Sequence, residues 1–141
     1  MKVQEIMSEV LAVATLNTSL HEAAQMMADF DCGCLPVIES EANKKPIGML
    51  TDRDITLRTV AHNKNPLNMN AGEVMTDNVV TVTPDTSVED CVALMEKNQI
   101  RRVAVVDGEG NLCGMVAQAD IARKAPAFET AELVKDVSTA A

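Results

Sequence analysis

The sequence predicts a mixed α/β (α+β) fold built from two β-α-β-β-α units, related by a pseudo-two-fold axis, with small sheets packed face to face and helices outside. Three observations lead there. Residues 5–55 recur as 73–121: Glu5, Met7, Thr15, Thr18, Ser19, Met27 and Val37 return as Glu73, Met75, Thr83, Thr86, Ser87, Met95 and Val105 at one offset. Gly48, Met49, Asp54 and Ile55 then return as Gly114, Met115, Asp120 and Ile121 at an offset smaller by two, which places a two-residue deletion in a loop of the second copy. Finally, a repeat of this length is too long for a solenoid unit and too short for an ordinary domain, so the two copies are expected to share one core. The copies occupy residues 1–65 and 66–126, and residues 127–141 form a C-terminal helical tail.

Each copy opens on a short amphipathic piece, Val3 to Met7 and Ala71 to Met75, followed by an extended run seen best in Val79-Val80-Thr81-Val82-Thr83. A helix comes next. Ser19-Leu20-His21-Glu22 and Thr86-Ser87-Val88-Glu89 have capping-box form, in which a hydroxyl and a carboxylate satisfy amides left unpaired at a helix start. Leu20, Ala23, Ala24 and Met27, then Val88, Cys91, Val92 and Met95, recur at helical spacing and predict one buried stripe per copy. Two strands follow in each copy: Leu35 to Ile38 and Ile47 to Leu50, then Val103 to Val106 and Leu112 to Val116. A charged loop from Ser40 to Pro46 joins the first pair, and a tight turn from Asp107 to Asn111 joins the second. Closing helices run from Asp52 to about His62 and from Asp120 to about Ala125. Pro66 among Asn63, Asn65, Asn68 and Asn70 marks the link between copies. Beyond Pro126, Glu129 to Val137 predicts a last helix with Leu133, Val134 and Val137 on one side, a packing or dimerisation element.

Composition narrows the function. A chain of 141 residues that is 47% apolar can bury one good core and leaves no room for a separate catalytic domain. No stretch reaches membrane-spanning length and the N-terminus lacks a secretory pattern, so the cytoplasm is the expected location. A formal charge of −9 argues against nucleic acid as the main partner, because phosphate backbones demand a basic face. Phe30 and Phe128 are the only aromatics, so a planar base would lie between aliphatic side chains rather than on an aromatic platform. Cys32, Cys34, Cys91 and Cys113 fit no zinc-finger spacing and are expected to be reduced. Cys32-Gly33-Cys34 has no histidine or further thiol pair beside it, and Cys32 aligns with Ile100, a core position, which favours small hydrophobes over metal ligands. His21 and His62 fall on exposed helix positions. No metal site is expected, and no nucleophile and base are paired for catalysis.

Gly48-Met49-Leu50-Thr51-Asp52-Arg53-Asp54 closing the first copy, with Gln99-Ile100-Arg101-Arg102-Val103-Ala104-Val105-Val106-Asp107 in the second, resembles a pair of cystathionine-β-synthase (CBS) domains. The likeness runs from residue 3 to about 125 and is strongest to bacterial proteins consisting of one such pair, in which Thr-Asp-Arg-Asp-Ile and Glu-Val-Met-Thr are frequent phrases. It implies a regulatory module that binds AMP, ADP, ATP or S-adenosylmethionine in clefts between the repeats and has no obligatory cofactor. Asp54 and Asp120 stand at the family's ribose-binding position, where a carboxylate accepts hydrogen bonds from both ribose hydroxyls. Thr51 can offer its hydroxyl to a phosphate at the start of the closing helix. Arg101 and Arg102 match basic residues that meet the anionic tail from the opposite repeat.

Thr51-Asp52-Arg53-Asp54 also reads as a plain capping box. Against that, the second copy keeps Asp120 after losing the hydroxyl at Ala117, and a carboxylate kept without its capping partner suggests a ligand. Arg53 could reach an anion or lie in solvent, and Arg58 reads as a surface charge on a solvated helix face. Val10, Leu11, Ala12, Leu35 and Pro36 are the apolar candidates for holding the base, or plain core. The positions facing the second cleft are Gly33 and Cys34, neither cationic. Each charge-assisted bond contributes on the order of 1.5–3 kcal/mol, so one tight nucleotide site per chain is expected, at Asp54. The module is expected to signal through conformation or oligomeric state, as a homodimer, to a regulated protein. The competing expectation is a constitutive dimeric scaffold with degenerate nucleotide sites.

Overall fold

The computed structural model of the chain describes residues 1–77, 79–125 and 133–137. Both copies give the predicted order of elements. The first runs β1 (Ala14–Thr15), α1 (Leu20–Asp29), β2 (Cys34–Ser40), β3 (Asn43–Thr51) and α2 (Asp52–Arg58). The second opens with the short helix α3 (Ala71–Val74) and continues β4 (Thr81–Val82), α4 (Val88–Asn98), β5 (Arg102–Val106), β6 (Leu112–Ala117) and α5 (Gln118–Lys124). Each copy makes one three-stranded sheet, β1-β2-β3 or β4-β5-β6. The first strand pairs parallel to the second and the second antiparallel to the third, with Val37 opposite Ala14 and Gly48, and Val105 opposite Val82 and Gly114.

Local chemistry explains the repeated hydroxyls. Ser19 and Ser87 cap α1 and α4 by accepting the amides of Glu22 and Asp90 at 3.1 and 3.0 Å. The second cap is therefore Ser87, one residue later than the Thr86-led box expected, because Thr86 is engaged elsewhere: its Oγ1 accepts the Thr83 amide at 3.1 Å, as Thr18 accepts that of Thr15 at 2.9 Å. The stripe on α4 is buried as predicted, whereas on α1 Ala24 lies outside it and is exposed. The charged loop expected from Ser40 to Pro46 is instead the end of a hairpin, with Ser40 opposite Asn43, so the two extra residues of the first copy lengthen its strands. The second hairpin turns where Asp107 Oδ1 accepts the amides of Glu109 and Asn111 and Gly110 adopts a φ of 82°, a conformation that side chains oppose. The first closing helix stops at Arg58, short of His62, because the buried Thr59 turns its hydroxyl back to the Ile55 carbonyl and a 3-10 turn (Val60–His62) follows. The other closing helix starts at Gln118, two residues before the expected Asp120.

Compact units and sequence repeats divide the chain differently. One unit is Leu11–Val79; the other joins Met1–Val10 to Val80–Ala141. Each contains its own buried cluster, where the sequence suggested a single shared core. The reason lies in the opening segments. Ala71 and Val74 complete the cluster around Leu20, Leu35 and Leu50, while Val3 and Ile6 complete that around Met95, Val103 and Ile121. Leu133 and Val137, in a helical stretch over 133–137, are buried in the second cluster and Val134 is half exposed. That part of the tail thus packs against its own unit; the rest of the helix expected from Glu129 lies outside the described residues.

Burial also sets a pH response. Cys91 is fully buried in α4, and desolvation pushes its thiol up to about 11. The unfolded chain ionises this thiol near pH 9 and the folded chain does not, so the stabilisation is complete below pH 9 and is lost as pH rises toward 11. Urea titrations across this range should show a stability decline of roughly 2–3 kcal/mol that is smaller in Cys91→Ala.

Candidate functional site

The two strand-to-helix junctions, Thr51 into α2 and Ala117 into α5, concentrate the polar chemistry of the described residues. Thr51 ends β3 in an extended conformation and its hydroxyl accepts the Asp54 amide at 3.0 Å, while Asp54 Oδ2 accepts the Thr51 amide at 3.1 Å. The capping box read from the sequence therefore forms, using only one carboxylate oxygen. Asp54 Oδ1 accepts no hydrogen bond among the described residues. Its nearest cation is Arg58 Nε at 3.8 Å, and the Asp54 side chain is 17% exposed. A half-buried anionic acceptor with one open oxygen at a helix start is suited to a ligand that donates hydroxyl protons.

Arg58 is exposed, as expected of a surface charge, but its head group is not left to solvent. Its guanidinium donates to the carbonyls of Val74 and Met75 at 3.1 and 2.9 Å and to Thr76 Oγ1 at 3.4 Å. It ties α2 to the segment after α3, whose last carbonyls need donors from outside the helix. Thr76 in turn exchanges two backbone hydrogen bonds with Met49, each 2.9 Å, and so pairs the open edge of β3. Ser8 does the same for β6 through Met115, at 2.8 and 3.0 Å. Gly48 and Gly114 permit these approaches: a Cβ on Gly48 would lie 2.5 Å from Met75 Sδ, and one on Gly114 would lie 2.9 Å from Met7 Sδ. The recurrence of Met7-Ser8 as Met75-Thr76 and of Gly48-Met49 as Gly114-Met115 records one contact made twice.

At the second junction the lost hydroxyl does not leave Asp120 without partners. Its Oδ2 accepts the Ala117 amide at 2.8 Å, so half the capping box persists without a threonine. Its Oδ1 accepts from Ser8 Oγ at 2.7 Å and from Arg123 at 2.9 Å. The residue is 3% exposed. Both oxygens are thus engaged, in contrast to Asp54. Ser8 and Thr76 went unnoticed in the sequence because they lie in other elements than the acidic motif; Arg123 is on α5 itself, three residues after Asp120, a spacing that was open to reading.

Arg101 and Arg102 sit at the start of β5, exposed, and among the described residues neither forms an ion pair. The Arg101 carbonyl accepts the Gln118 amide at 2.9 Å, as Gly33 accepts that of Asp52 at 3.0 Å. Arg53 is exposed on α2. Of the apolar candidates, Leu11 is 61% exposed and Val10 and Ala12 are half-buried, but Leu35 is 1% exposed inside the core and Pro36 is buried beside it in β2. Cys32 is half-buried against the same core. Among the described residues no group of three or more His, Cys, Asp or Glu could hold a metal ion, and no helix is long and apolar enough to cross a membrane.

Comparison with known proteins places this geometry in context. The family model described as the CBS domain matches twice, over residues 3–59 and 71–127. The CBS domain-containing protein YhcV of Bacillus subtilis is 40% identical over 120 residues, covering 85% of this chain and 82% of the relative. Hypoxic response protein 1 of Mycobacterium tuberculosis is 34% identical over 134 residues, covering 95% of this chain and 92% of the relative. A crystal structure of hypoxic response protein I, with two coordinated zinc ions, superimposes with a TM-score of 0.78 at 33% identity over 89% of this chain and 100% of that one. The CBS domain pair of protein MJ0100, solved with methylthioadenosine and S-adenosyl-L-methionine, gives a TM-score of 0.76 at 32% identity over 87% of this chain and 98% of that one.

Proposed function

The chain belongs to the CBS domain family, and from that premise we propose that it is a non-enzymatic regulatory module that takes an adenosine-containing ligand at the junction of Thr51 and Asp54. The observation that carries this reading is the open Oδ1 of Asp54, held at a helix start by a capping box that uses only the other oxygen. An adenosyl ligand brings a cis-diol whose two hydroxyls can donate to such a carboxylate. A related CBS pair binds two adenosyl compounds, methylthioadenosine and S-adenosyl-L-methionine. The Thr51 hydroxyl is committed to the Asp54 amide as acceptor, which leaves its proton for an anionic group. Arg101 and Arg102, exposed and without ion pairs among the described residues, are the proposed partners of a phosphate or other anionic tail, with Arg53 an accessory cation. Leu11 is the exposed apolar candidate for contact with the base, a role that Leu35, sealed in the core, does not share. In this reading the module works in the cytoplasm as a homo-oligomer, and ligand binding biases the conformation or assembly that a regulated protein reads.

A thermal-shift series tests this directly. Adenosine, methylthioadenosine, S-adenosylmethionine, AMP, ADP and ATP are compared by following helix loss in circular dichroism, since the chain has no Trp or Tyr to report fluorescence. A ligand at a hundred times its Kd adds about 2.7 kcal/mol to folding and should raise the melting temperature by several degrees. If none of the six moves it at millimolar concentration, the sensor reading fails.

A further inference from the structure

The two acidic junctions differ in one respect that the sequence repeat conceals. Asp54 and Asp120 are equivalent, as are Thr76 and Ser8 in the segments that pair with the sheet edges. The bonding is not equivalent. Thr76 takes a bond from Arg58 and has no bond to Asp54, whereas Ser8 donates to Asp120 Oδ1 at 2.7 Å. Arg123 adds a second donor to the same oxygen at 2.9 Å, and the position equivalent to it in α2 is Leu57, 44% exposed and unable to donate. The cation that matches Arg58 is Lys124, which reaches the Ile6 carbonyl at 3.5 Å and leaves Asp120 to Arg123.

We propose that Ser8 and Arg123 act as a built-in occupant of the second junction: a hydroxyl and a guanidinium of the chain itself fill the acceptor face of Asp120 that a ribose diol would need. The inference rests on the reading of Asp54 as the ribose acceptor and extends it to why the second repeat stays silent. A carboxylate oxygen already accepting a hydroxyl and a charged donor has no favourable site left for a sugar hydroxyl, and at 3% exposure Asp120 cannot turn toward one. Binding there requires breaking both internal bonds first. Ser8 and Arg123 are therefore determinants of stoichiometry, and they act independently of the arginines that would serve an anionic tail.

Adenosine, which carries the diol but no anion, is the probe, and equilibrium dialysis of radiolabelled adenosine counts the sites. Asp54→Ala should bind none. Asp54→Ala with Ser8→Ala and Arg123→Gln should regain one equivalent per chain, and adding Asp120→Asn should abolish it again. The inference is overturned if the triple variant, shown folded by circular dichroism, binds no more adenosine than Asp54→Ala, or if Asp54→Ala alone retains an equivalent that Asp120→Asn removes. Should the triple variant fail to fold, the mirror change decides: Leu57→Arg with Thr76→Ser at exposed or edge positions should weaken adenosine binding at Asp54 by at least about tenfold, and unchanged affinity would sink the idea. Failure of the sensor reading has a separate signature, a wild-type chain that binds no adenosine, and in that case the gain or absence of gain in the triple variant still decides the role of Ser8 and Arg123.

Discussion

Asp54→Asn is expected to lower affinity for an adenosyl ligand by at least about a hundredfold while changing stability by less than about 1 kcal/mol. The amide oxygen of asparagine can still accept the Thr51 amide, which the carboxylate now does at 3.1 Å, so the start of α2 keeps its cap. The other terminus changes from an anionic acceptor to a neutral donor, and it would then face Arg58 Nε, now 3.8 Å from Oδ1, and the ribose oxygens with the wrong polarity. Two charge-assisted hydrogen bonds are lost, each worth on the order of 1.5–3 kcal/mol. Asp54→Ala also loses the bond to the Thr51 amide, though the Thr51 hydroxyl still accepts the amide of residue 54, so it should match the asparagine variant in binding and fall below it in melting temperature. Calorimetric titration of both variants separates the roles: an asparagine variant that binds as tightly as wild type would reduce Asp54 to a helix cap.

The largest effect on folding should come from Gly48→Ala, at about 2–4 kcal/mol. The new methyl meets Met75 Sδ at 2.5 Å and the Thr76 carbonyl at 2.9 Å, and the second of these is backbone that already pairs with Met49. Gly114→Ala meets Met7 Sδ at 2.9 Å, with the Ser8 carbonyl farther off at 3.4 Å, and should cost less, about 1–2 kcal/mol. Gly108→Ala has nothing within 4 Å and should be near neutral. Double-mutant cycles in urea sharpen the contrast. Met7→Ala should relieve most of the Gly114→Ala penalty, since a flexible thioether is the obstacle, whereas Met75→Ala should leave most of the Gly48→Ala penalty in place. Equal relief in the two cycles would show that the Thr76 carbonyl yields.

Much of the fold was legible because duplication supplied its own control. Each hydrophobic stripe, each hydroxyl cap and each hairpin was seen twice, and α1, α4 and the three-stranded sheets follow directly from those patterns. Thr51 with Asp54 was legible as a cap from its own spacing, since the second copy has Ala117 in place of the hydroxyl. What stayed hidden were contacts over long sequence separations. The partner of Gly48 lies 27 residues on, at Met75, and that of Asp120 lies 112 residues back, at Ser8. Periodicity reports which face of an element is buried and nothing about what buries it. Asp120 shows the consequence: loss of the Ala117 hydroxyl looked like the release of a carboxylate, yet the backbone amide at 117 still binds it and Ser8 completes it. Leu35 shows another, since the continuous apolar run Leu35 to Ile38 does not tell which of its side chains line a cleft and which are wholly enclosed, as Leu35 is.

The division of the chain into Leu11–Val79 and Met1–Val10 with Val80–Ala141 has a consequence for biosynthesis. The first of these is continuous, so it can close as soon as residue 79 leaves the ribosome. The stretch ahead of it first meets partners at Pro84, Thr86 and Val88, all beyond residue 79, and its burial is complete only once Val103, Met115 and Ile121 have been made. The continuous unit is therefore expected to close first, and the segment before it, although made sooner, to be secured afterwards.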